Sequence, residues 1–242
     1  MRDAREIGQA ASLMFGLGVA SLTPLHCGNY ATASEFASEL VVLADKTGAS
    51  LFWKGFGMMN QGSVLALTGK ASDAVHMITS GLTAFRSTGS RNFTPLWVSH
   101  LARAYAELGK FDDAWRCIGE ATTAVETTKE KWFEADIHRI AGEIALLAPQ
   151  PDAARAEAYF EHALAVARDQ HVKSLELRAA MGMARLRRDQ GKRGEALNLL
   201  APIYGWFTEG FDTLDLKNLK TAKTLGIDLP PTVLARADEV IE

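Results

Sequence analysis

The sequence of 242 residues predicts an all-α protein, an α-solenoid built from antiparallel helix pairs. Two observations lead to this prediction. A short turn followed by an alanine recurs five times at intervals of 40 to 42 residues, and amphipathic segments of helical period lie between the copies. No segment alternates apolar and polar residues as a half-buried strand does. The recurring alanines, each opening the second helix of a pair, are Ala33, Ala74, Ala114, Ala156 and Ala196.

The clearest copy of the repeat predicts a helix, a glycine turn and a second helix. In it Leu101, Tyr105 and Leu108 share one helical face, and Gly109 suits the left-handed conformation that ends a helix. In an antiparallel pair the closest approach, about 8–10 Å between axes, admits only a small side chain. We therefore predict that the five alanines are contact points between paired helices. The turn recurs at residues 28–33, 69–74 and 191–196 and, in expanded form, at 148–152.

We predict a single solenoid over residues 1–228 and a short helix or tail over 229–242. The repeats are expected at about 5–46, 50–88, 93–127, 130–170 and 173–208. Their first helices are expected at 50–68, 93–108, 130–147 and 173–190, and their second helices at 29–46, 71–88, 111–127, 153–170 and 193–208. A capping helix is expected at 212–225, because Asp212 can cap its start and Gly226 can end it.

The pattern of glycine, aromatic residue and alanine resembles the tetratricopeptide repeat (TPR). The matching residues are Tyr105, Gly109, Phe111, Ala114 and Ala121, and again Gly142, Ala156, Phe160 and Ala163. The period of about 40 residues is longer than the standard 34 of that repeat, so longer helices are expected. The resemblance implies a right-handed superhelix whose concave face is formed mainly by first helices.

A closer resemblance covers about residues 93–228. The segments that match are 132–139, 174–180, 186–191 and 204–212. They resemble the C-terminal region of multidomain bacterial adenylate/guanylate cyclase-like or transcriptional-regulator signalling ATPases. We expect the chain to be either that part of such a protein or a free-standing relative. The resemblance implies a cytoplasmic scaffold in signal transduction, with a protein or peptide partner or the parent protein's own upstream domains.

The resemblance also implies which first-helix residues face inward. They are Phe56, Met59 and Ser63, then Ser99, Arg103 and Glu107, then Asp136, Arg139 and Glu143, and finally Arg178, Arg185 and Arg188. These residues predict a groove that is apolar at its N-terminal end and basic at its C-terminal end, suited to a peptide with an acidic part. The alternative is that the arginines form a solvated helix face with i,i+4 partners, such as Arg185 with Asp189.

The N-terminal part of the chain is poor in charge. Residues 1–92 hold 7 Lys+Arg and 6 Asp+Glu, whereas residues 93–242 hold 19 and 23. An end repeat needs a polar outer face, so we expect this part to pack on an upstream ATPase domain or on a second copy, giving a homodimer. Its seven large apolar residues are Phe15, Leu17, Phe52, Trp53, Phe56, Met58 and Met59. The uncharged stretch between Glu6 and Glu35 predicts a buried first helix, with a targeting segment as the alternative.

The sequence holds no complete catalytic motif. No phosphate loop or nucleophile elbow is present, and Glu134 and His138, one helical turn apart, are expected to be a surface pair rather than a metal site. Cys27 and Cys117 are expected to be buried thiols. A net charge of −3 gives no indication of nucleic-acid binding, and no stretch is long and apolar enough for a membrane span. We expect a non-catalytic chain without cofactor or metal, with a small-molecule or peptide sensor as the alternative function.

Overall fold

A computed structural model describes residue 5 and residues 9–48 and 51–220. Within these residues the chain forms helices and turns and no strand, which confirms the predicted all-α fold of helix pairs. The helices are α1 (Ala10–His26), α2 (Tyr30–Thr47), α3 (Leu51–Leu67), α4 (Ala71–Ser87), α5 (Thr94–Glu107), α6 (Phe111–Thr128), α7 (Glu134–Leu147), α8 (Ala153–Asp169), α9 (Lys173–Asp189), α10 (Arg193–Tyr204) and α11 (Leu214–Lys220). A 3₁₀ turn, Lys131–Phe133, precedes α7. None of the described helices is long and apolar enough to cross a lipid bilayer.

The chain divides into two compact units, residues 1–130 (unit 1) and residues 131–242 (unit 2). Unit 1 contains α1 to α6 and unit 2 contains α7 to α11, each paired in chain order up to α10. The single solenoid over residues 1–228 stays a prediction. The predicted helix 193–208 is shorter in the structure and ends at Tyr204, where Gly205 caps it. The capping helix is described only as α11, and residues 221–242 lie outside the described part.

The five alanines of the repeat occupy the same place in every pair. Each is the fourth residue of a second helix, is buried, and donates its backbone N–H to the carbonyl of the residue that caps that helix, at 3.0–3.2 Å. Gly109 and Gly191 adopt positive φ in the turns before these helices, which a residue with a side chain rarely does. In the expanded fourth turn, Asp152 instead caps α8 by accepting the N–H of Arg155 at 2.9 Å.

An aromatic cluster forms the centre of unit 1. The Phe56 ring centroid lies 5.0 Å from that of Trp97, and Phe85 lies 4.9 Å from Phe52 and 5.3 Å from Trp97. Of the seven large apolar residues of this part, Leu17, Phe56 and Met59 are buried, whereas Phe52, Trp53 and Met58 are half-buried and Phe15 is 61% exposed. The prediction that they do not all fit the core is therefore confirmed, and the homodimer stays a prediction.

A buried polar ladder joins the first helices of unit 1. Trp97 of α5 donates its indole N–H to Asn60 Oδ1 at 2.8 Å, and Asn60 of α3 donates its amide to Ser21 Oγ of α1 at 2.7 Å. The Ser21 hydroxyl donates in turn to the carbonyl of Gly18. Because a buried polar group without a partner costs about 1–3 kcal/mol, this chain of bonds fixes which positions of the three helices face one another.

The core of unit 2 is built around a ring held between two glycines. A Cβ added to Gly142 of α7 would lie 2.7 Å from the Phe160 ring of α8, and one added to Gly182 of α9 would lie 2.6 Å from the same ring. Phe160 therefore fills a space that both neighbouring helices leave open. Towards the C-terminus the core continues through Leu200, Tyr204 and other buried residues of α10 and α11.

The two cysteines differ in environment. Cys117 is buried within α6, and burial raises the pKa of its thiol to about 11. Cys27 is exposed, because it follows the last residue of α1 in the turn rather than lying on a packed helix face. The prediction of a buried thiol is therefore wrong for Cys27.

We predict that Gly55→Ala destabilises the protein. A Cβ at Gly55 would lie 2.7 Å from the carbonyl oxygen of Gly81, and a backbone cannot yield as a side-chain tip can. Overpacking of this kind costs about 1–3 kcal/mol, against a helix-propensity gain of about 0.5–1 kcal/mol. The measurement is the free energy of unfolding from urea titration followed by circular dichroism.

The control for this prediction is Gly119→Ala on the exposed face of α6. An added Cβ meets nothing within 4 Å there, so the same substitution should stabilise the chain through helix propensity alone. A Gly55→Ala variant as stable as the Gly119→Ala variant would contradict the close contact between α3 and α4.

Candidate functional site

The predicted apolar end of the groove is closed in unit 1. Phe56, Met59 and Ser63 are all buried, because α1 and α5 pack on α3 from two sides. Their predicted exposure is wrong. Ser99 is likewise buried and donates its hydroxyl to the carbonyl of Leu96. Arg103 and Glu107 lie at the end of α5 as a partly exposed ion pair at 3.1 Å, the i,i+4 arrangement that stabilises a helix by only a few tenths of a kcal/mol.

In unit 2 the predicted basic end begins with a buried ion cluster. Arg139 donates to Asp136 one turn before it on α7 and to Glu143 one turn after it, the latter at 2.7 Å. Arg139 and Asp136 are almost fully buried. Burial alone would lower the pKa of Arg139, but the two carboxylates outweigh it and raise that pKa above its ordinary value. Arg139 is therefore a structural cation here, and its predicted place on an open surface is wrong.

Two of the predicted arginines of α9 are also accompanied by carboxylates. Arg178 donates to Asp215 of α11 at 2.7 Å, and Arg188 donates to Asp189 at 2.8 Å. Burial lowers the pKa of Arg178, but Asp136 and then Asp215 raise it overall. Arg185 is half-buried on α9. Partner binding by Arg103, Glu107, Arg178, Arg185 and Arg188 stays a prediction. Arg103, Arg178 and Arg188 are each paired with a carboxylate within their own unit.

We predict that Arg139→Met strongly destabilises the protein. The substitution leaves the Asp136 carboxylate buried beside an apolar side chain, and breaking a buried ion pair in this way costs about 3–5 kcal/mol. Urea unfolding at neutral pH measures the loss. The double variant Asp136→Leu with Arg139→Met removes both charges and should recover most of the stability.

The matched control is Arg116→Met, which breaks the exposed pair of Arg116 with Asp113 at 2.6 Å. An exposed pair on a helix surface contributes little, so this variant should unfold at nearly the wild-type urea concentration. Equal losses in the Arg139 and Arg116 variants would show that the Asp136–Arg139–Glu143 cluster is not a buried ionic core.

An open cleft among the described residues of unit 2 is hereafter called the Trp132 cleft. It has a volume of about 680 Å³ and lies between the 3₁₀ turn, the C-terminal half of α8 and the turn into α9. Gln170, in the turn into α9, donates its side-chain amide to the carbonyl of Lys131 in the 3₁₀ turn at 2.9 Å. This hydrogen bond links two sides of the cleft. The lining residues are Lys131, Trp132, Glu134, His162, Ala165, Val166, Asp169, Gln170 and Val172.

Trp132 is the largest side chain of this cleft and is 38% exposed. Its ring centroid lies 5.4 Å from that of Phe133, which is buried. The buried phenylalanine ring therefore supports the tryptophan ring on the side that faces the protein. The floor is apolar at Val166 and Val172, whereas Lys131 and Asp169 supply opposite charges. The cleft therefore combines a fixed aromatic surface with a mixed-charge lining.

Two histidines lie at this cleft: His162 is part of its lining, and His138 contacts His162. The ring of His138 on α7 stacks on that of His162 on α8, with centroids 4.0 Å apart and planes 14° from parallel. Glu134 lies one turn before His138, and one ligand atom of each of the three side chains lies within 4.8 Å of the others. The prediction of a Glu134–His138 surface pair omitted His162. Burial, and secondly the neighbouring His162, lower the pKa of His138 to about 4.

A sequence signal for the third residue did exist. His138 and His162 each lie 12 positions from Gln150, the middle of the turn between α7 and α8. Residues at equal distance from the turn of an antiparallel pair lie opposite each other, so the two histidines could have been placed together.

We predict that the stability of the protein falls as the pH is lowered from about 6.5 to about 4. The pKa of His138 is about 4 in the folded chain, against about 6.5 in an unfolded chain. The unfolded state therefore binds more protons in this window, so the free energy of unfolding decreases as pH falls. Urea unfolding at about pH 7 and about pH 5 should show a smaller difference for His138→Gln than for the wild type.

His76→Gln is the control for this pH dependence. His76 is exposed on α4 in unit 1, and its loss should leave the pH dependence unchanged. A His138→Gln variant with the full wild-type pH dependence would assign the acid sensitivity to other groups.

Smaller clefts lie among the described residues of unit 1. One of about 460 Å³ lies beside the turn between α3 and α4, at Lys70 and Leu108. Another, of about 430 Å³, lies between α4 and α6, where Arg86 pairs with Glu120. Neither has an exposed aromatic side chain in its lining, so the Trp132 cleft is the stronger candidate for binding.

No protein-family model matches this chain, and no curated protein matches it in sequence. Solved structures do match it in fold. The crystal structure of a Rap protein complexed with Competence and Sporulation Factor superposes with a TM-score of 0.69 at 11% identity, covering 96% of this chain and 64% of that one. Two structures of nearly identical TPR-like repeats assigned to a Podosopora anserina kinesin light chain give TM-scores of 0.53 and 0.52 at 17% and 16% identity.

The kinesin light chain matches cover 78% of this chain and 92% of the other. The chain spans about two thirds of the length of the Rap protein, 64%. At these identities the likeness concerns the fold alone. The chain is therefore similar in fold to TPR-like repeat proteins, as the turn-and-alanine pattern predicts.

Proposed function

We propose that this chain is a non-catalytic protein-interaction region of the TPR-like type and that it binds a peptide segment of a partner in the Trp132 cleft. The observation that carries the proposal is the cleft itself. It is an open surface with an apolar floor, and its tryptophan ring packs against Phe133. Tryptophan is among the side chains that contribute most to protein interfaces. The similar Rap protein is complexed with a factor, which supports a binding role for this fold.

The lining indicates what kind of peptide would fit. Val166, Val172 and the Trp132 face would take an apolar anchor residue, while Lys131 and Asp169 would contact polar groups on either side of it. A cleft of about 680 Å³ is of the size that small-ligand and side-chain pockets commonly have, about 300–1,000 Å³. It suits one or two anchor side chains of a longer peptide.

The sensor alternative receives less support from the same geometry. A small-molecule sensor would bury most of its ligand in a closed apolar cavity, whereas the clefts described above are open to solvent. A ligand held there would remain largely exposed, so a macromolecular partner that covers the cleft fits better.

The finer part of the proposal concerns context. The resemblance of residues 93–228 to the C-terminal region of cyclase-like signalling ATPases supports a regulatory role in the bacterial cytoplasm, with the parent protein's own upstream domains as a partner. On that view the peptide that fills the Trp132 cleft belongs to such an upstream domain or to a protein that signals to it.

We predict that peptides selected on this protein bind through Trp132. A random peptide library displayed on phage is selected on the immobilised full chain, and the enriched sequences are measured by fluorescence anisotropy. Trp132→Ala should weaken their binding by more than about tenfold, because it removes the anchor surface. Trp206→Ala is the control, since Trp206 is also exposed, at 58%, but lies outside the cleft.

Three results would contradict the proposal. Failure to enrich any binding peptide would exclude peptide binding by the isolated chain. Enriched peptides that bind Trp132→Ala at full strength would exclude the cleft. Peptides that lose binding to Arg185→Glu but not to Trp132→Ala would instead support the arginine face of α9.

A further inference from the structure

We propose that Glu134, His138 and His162 form a binding site for a divalent transition-metal ion of the zinc type at the wall of the Trp132 cleft. The site uses side chains of two helices that pack as a pair, α7 and α8. It is independent of peptide binding, because it rests on these three side chains alone.

The backbone places the three side chains together. Glu134 and His138 are four residues apart on α7 and so lie on the same helix face. His162 lies opposite them on α8, and one ligand atom from each residue lies within 4.8 Å of the others. Ligands around one zinc ion at about 2.0–2.2 Å are themselves about 3–3.5 Å apart. Side-chain rotations that move the ligand atoms by little more than an ångström therefore complete the arrangement.

The required rotation is available at His162. In the stacked arrangement the two rings lie 4.0 Å apart in nearly parallel planes, so the lone pairs of their nitrogens, which lie in the ring planes, cannot both point at one ion. His162 is exposed, and its ring can turn about its side-chain bonds without displacing core residues. His138 is half-buried, and the rings of His162 and Tyr159 both stack on its ring, so it supplies the more restricted ligand.

The donor set decides which ions fit. Two imidazoles and one carboxylate favour zinc, nickel or copper over magnesium and calcium, which prefer oxygen ligands. An imidazole binds metal in its neutral form, and His138 and His162 each supply one ring nitrogen to the cluster.

The position of the site leaves coordination positions open. Glu134 and His162 both line the cleft, whereas His138 lies behind them. Three protein ligands leave at least a fourth position on zinc, and here it faces the cleft, where water or a ligand atom can occupy it. The same lining also contains one acidic side chain, Asp169, and one basic side chain, Lys131.

The test is calorimetric titration of the full, tag-free chain with zinc chloride at neutral pH. We expect saturable binding of one ion per chain and no comparable signal with magnesium chloride. His162→Gln and Glu134→Gln should each weaken zinc binding by at least about tenfold, because each removes a ligand. His76→Gln, an exposed histidine of α4 in unit 1, should bind zinc as the wild type does.

The substitution of His162 keeps the test independent of folding, because this side chain is exposed; circular dichroism should confirm an unchanged helix content. Substitution by cobalt adds a second readout, since visible absorption of the bound ion should disappear in His162→Gln. Absence of zinc binding, or equal binding by the wild type and His162→Gln, would overturn the proposal. Neither result would bear on peptide binding, which is measured without metal.

Discussion

The structure of unit 1 depends on three glycines of α3, where the backbone of a neighbouring helix comes into direct contact. A Cβ at Gly55 or Gly62 would meet backbone atoms of α4 at 2.7–3.0 Å, and one at Gly57 would lie 3.0 Å from the carbonyl of Ala37 on α2. Helices α2 and α4 therefore pack against the backbone of α3 on different sides. Such close contact gains dispersion energy over the whole helix length and leaves the aromatic rings of α3, α4 and α5 as the material that fills the remaining space.

Glycines also allow close helix contact in unit 2, but there they face a side chain. Gly142 and Gly182 lie against one phenylalanine ring, that of Phe160, instead of against a backbone. Nearby, the inner side of α7 carries Asp136 and Arg139, which are buried together with their charges paired. A buried ion pair of this kind adds little net stability over apolar residues, but loss of one partner is costly. It therefore fixes the identity of these positions more than it strengthens the unit.

The sequence predicted the local repeat well because the repeat is determined by interactions between residues close together in the chain. A glycine at positive φ, such as Gly109, and an alanine in the first turn of the next helix, such as Ala114, are set by turn chemistry and capping. These features placed most of the described helix ends within a residue or two. They do not encode how many neighbours a helix acquires, so the repeat register alone could not show which first-helix faces stay open.

The errors share that cause. Phe56 and Met59 were expected at a surface, yet each is covered by helices from adjacent pairs. Arg139 was expected on an open surface together with Asp136 and Glu143, but Arg139 and Asp136 are buried, and the three side chains form a paired ionic core. His162 was missed as a neighbour of His138 because it lies on the paired helix, across the turn, and spacing along α7 alone does not show it.

Close packing also determines where binding can occur. Helices that touch through glycine leave too little space for a peptide between them. The first helix α5 is also buried continuously over residues 94–102. Charged groups on these faces are used within the fold, as Arg139 and Arg178 are. Accessible groups that can contact a ligand then lie where a helix pair ends and the next begins. The Trp132 cleft is such a place, since the 3₁₀ turn before α7 brings Trp132 to the surface beside the end of α8. A protein of this fold can therefore change its partner by changing the residues at one such junction, without disturbing the glycine contacts that hold its helices together.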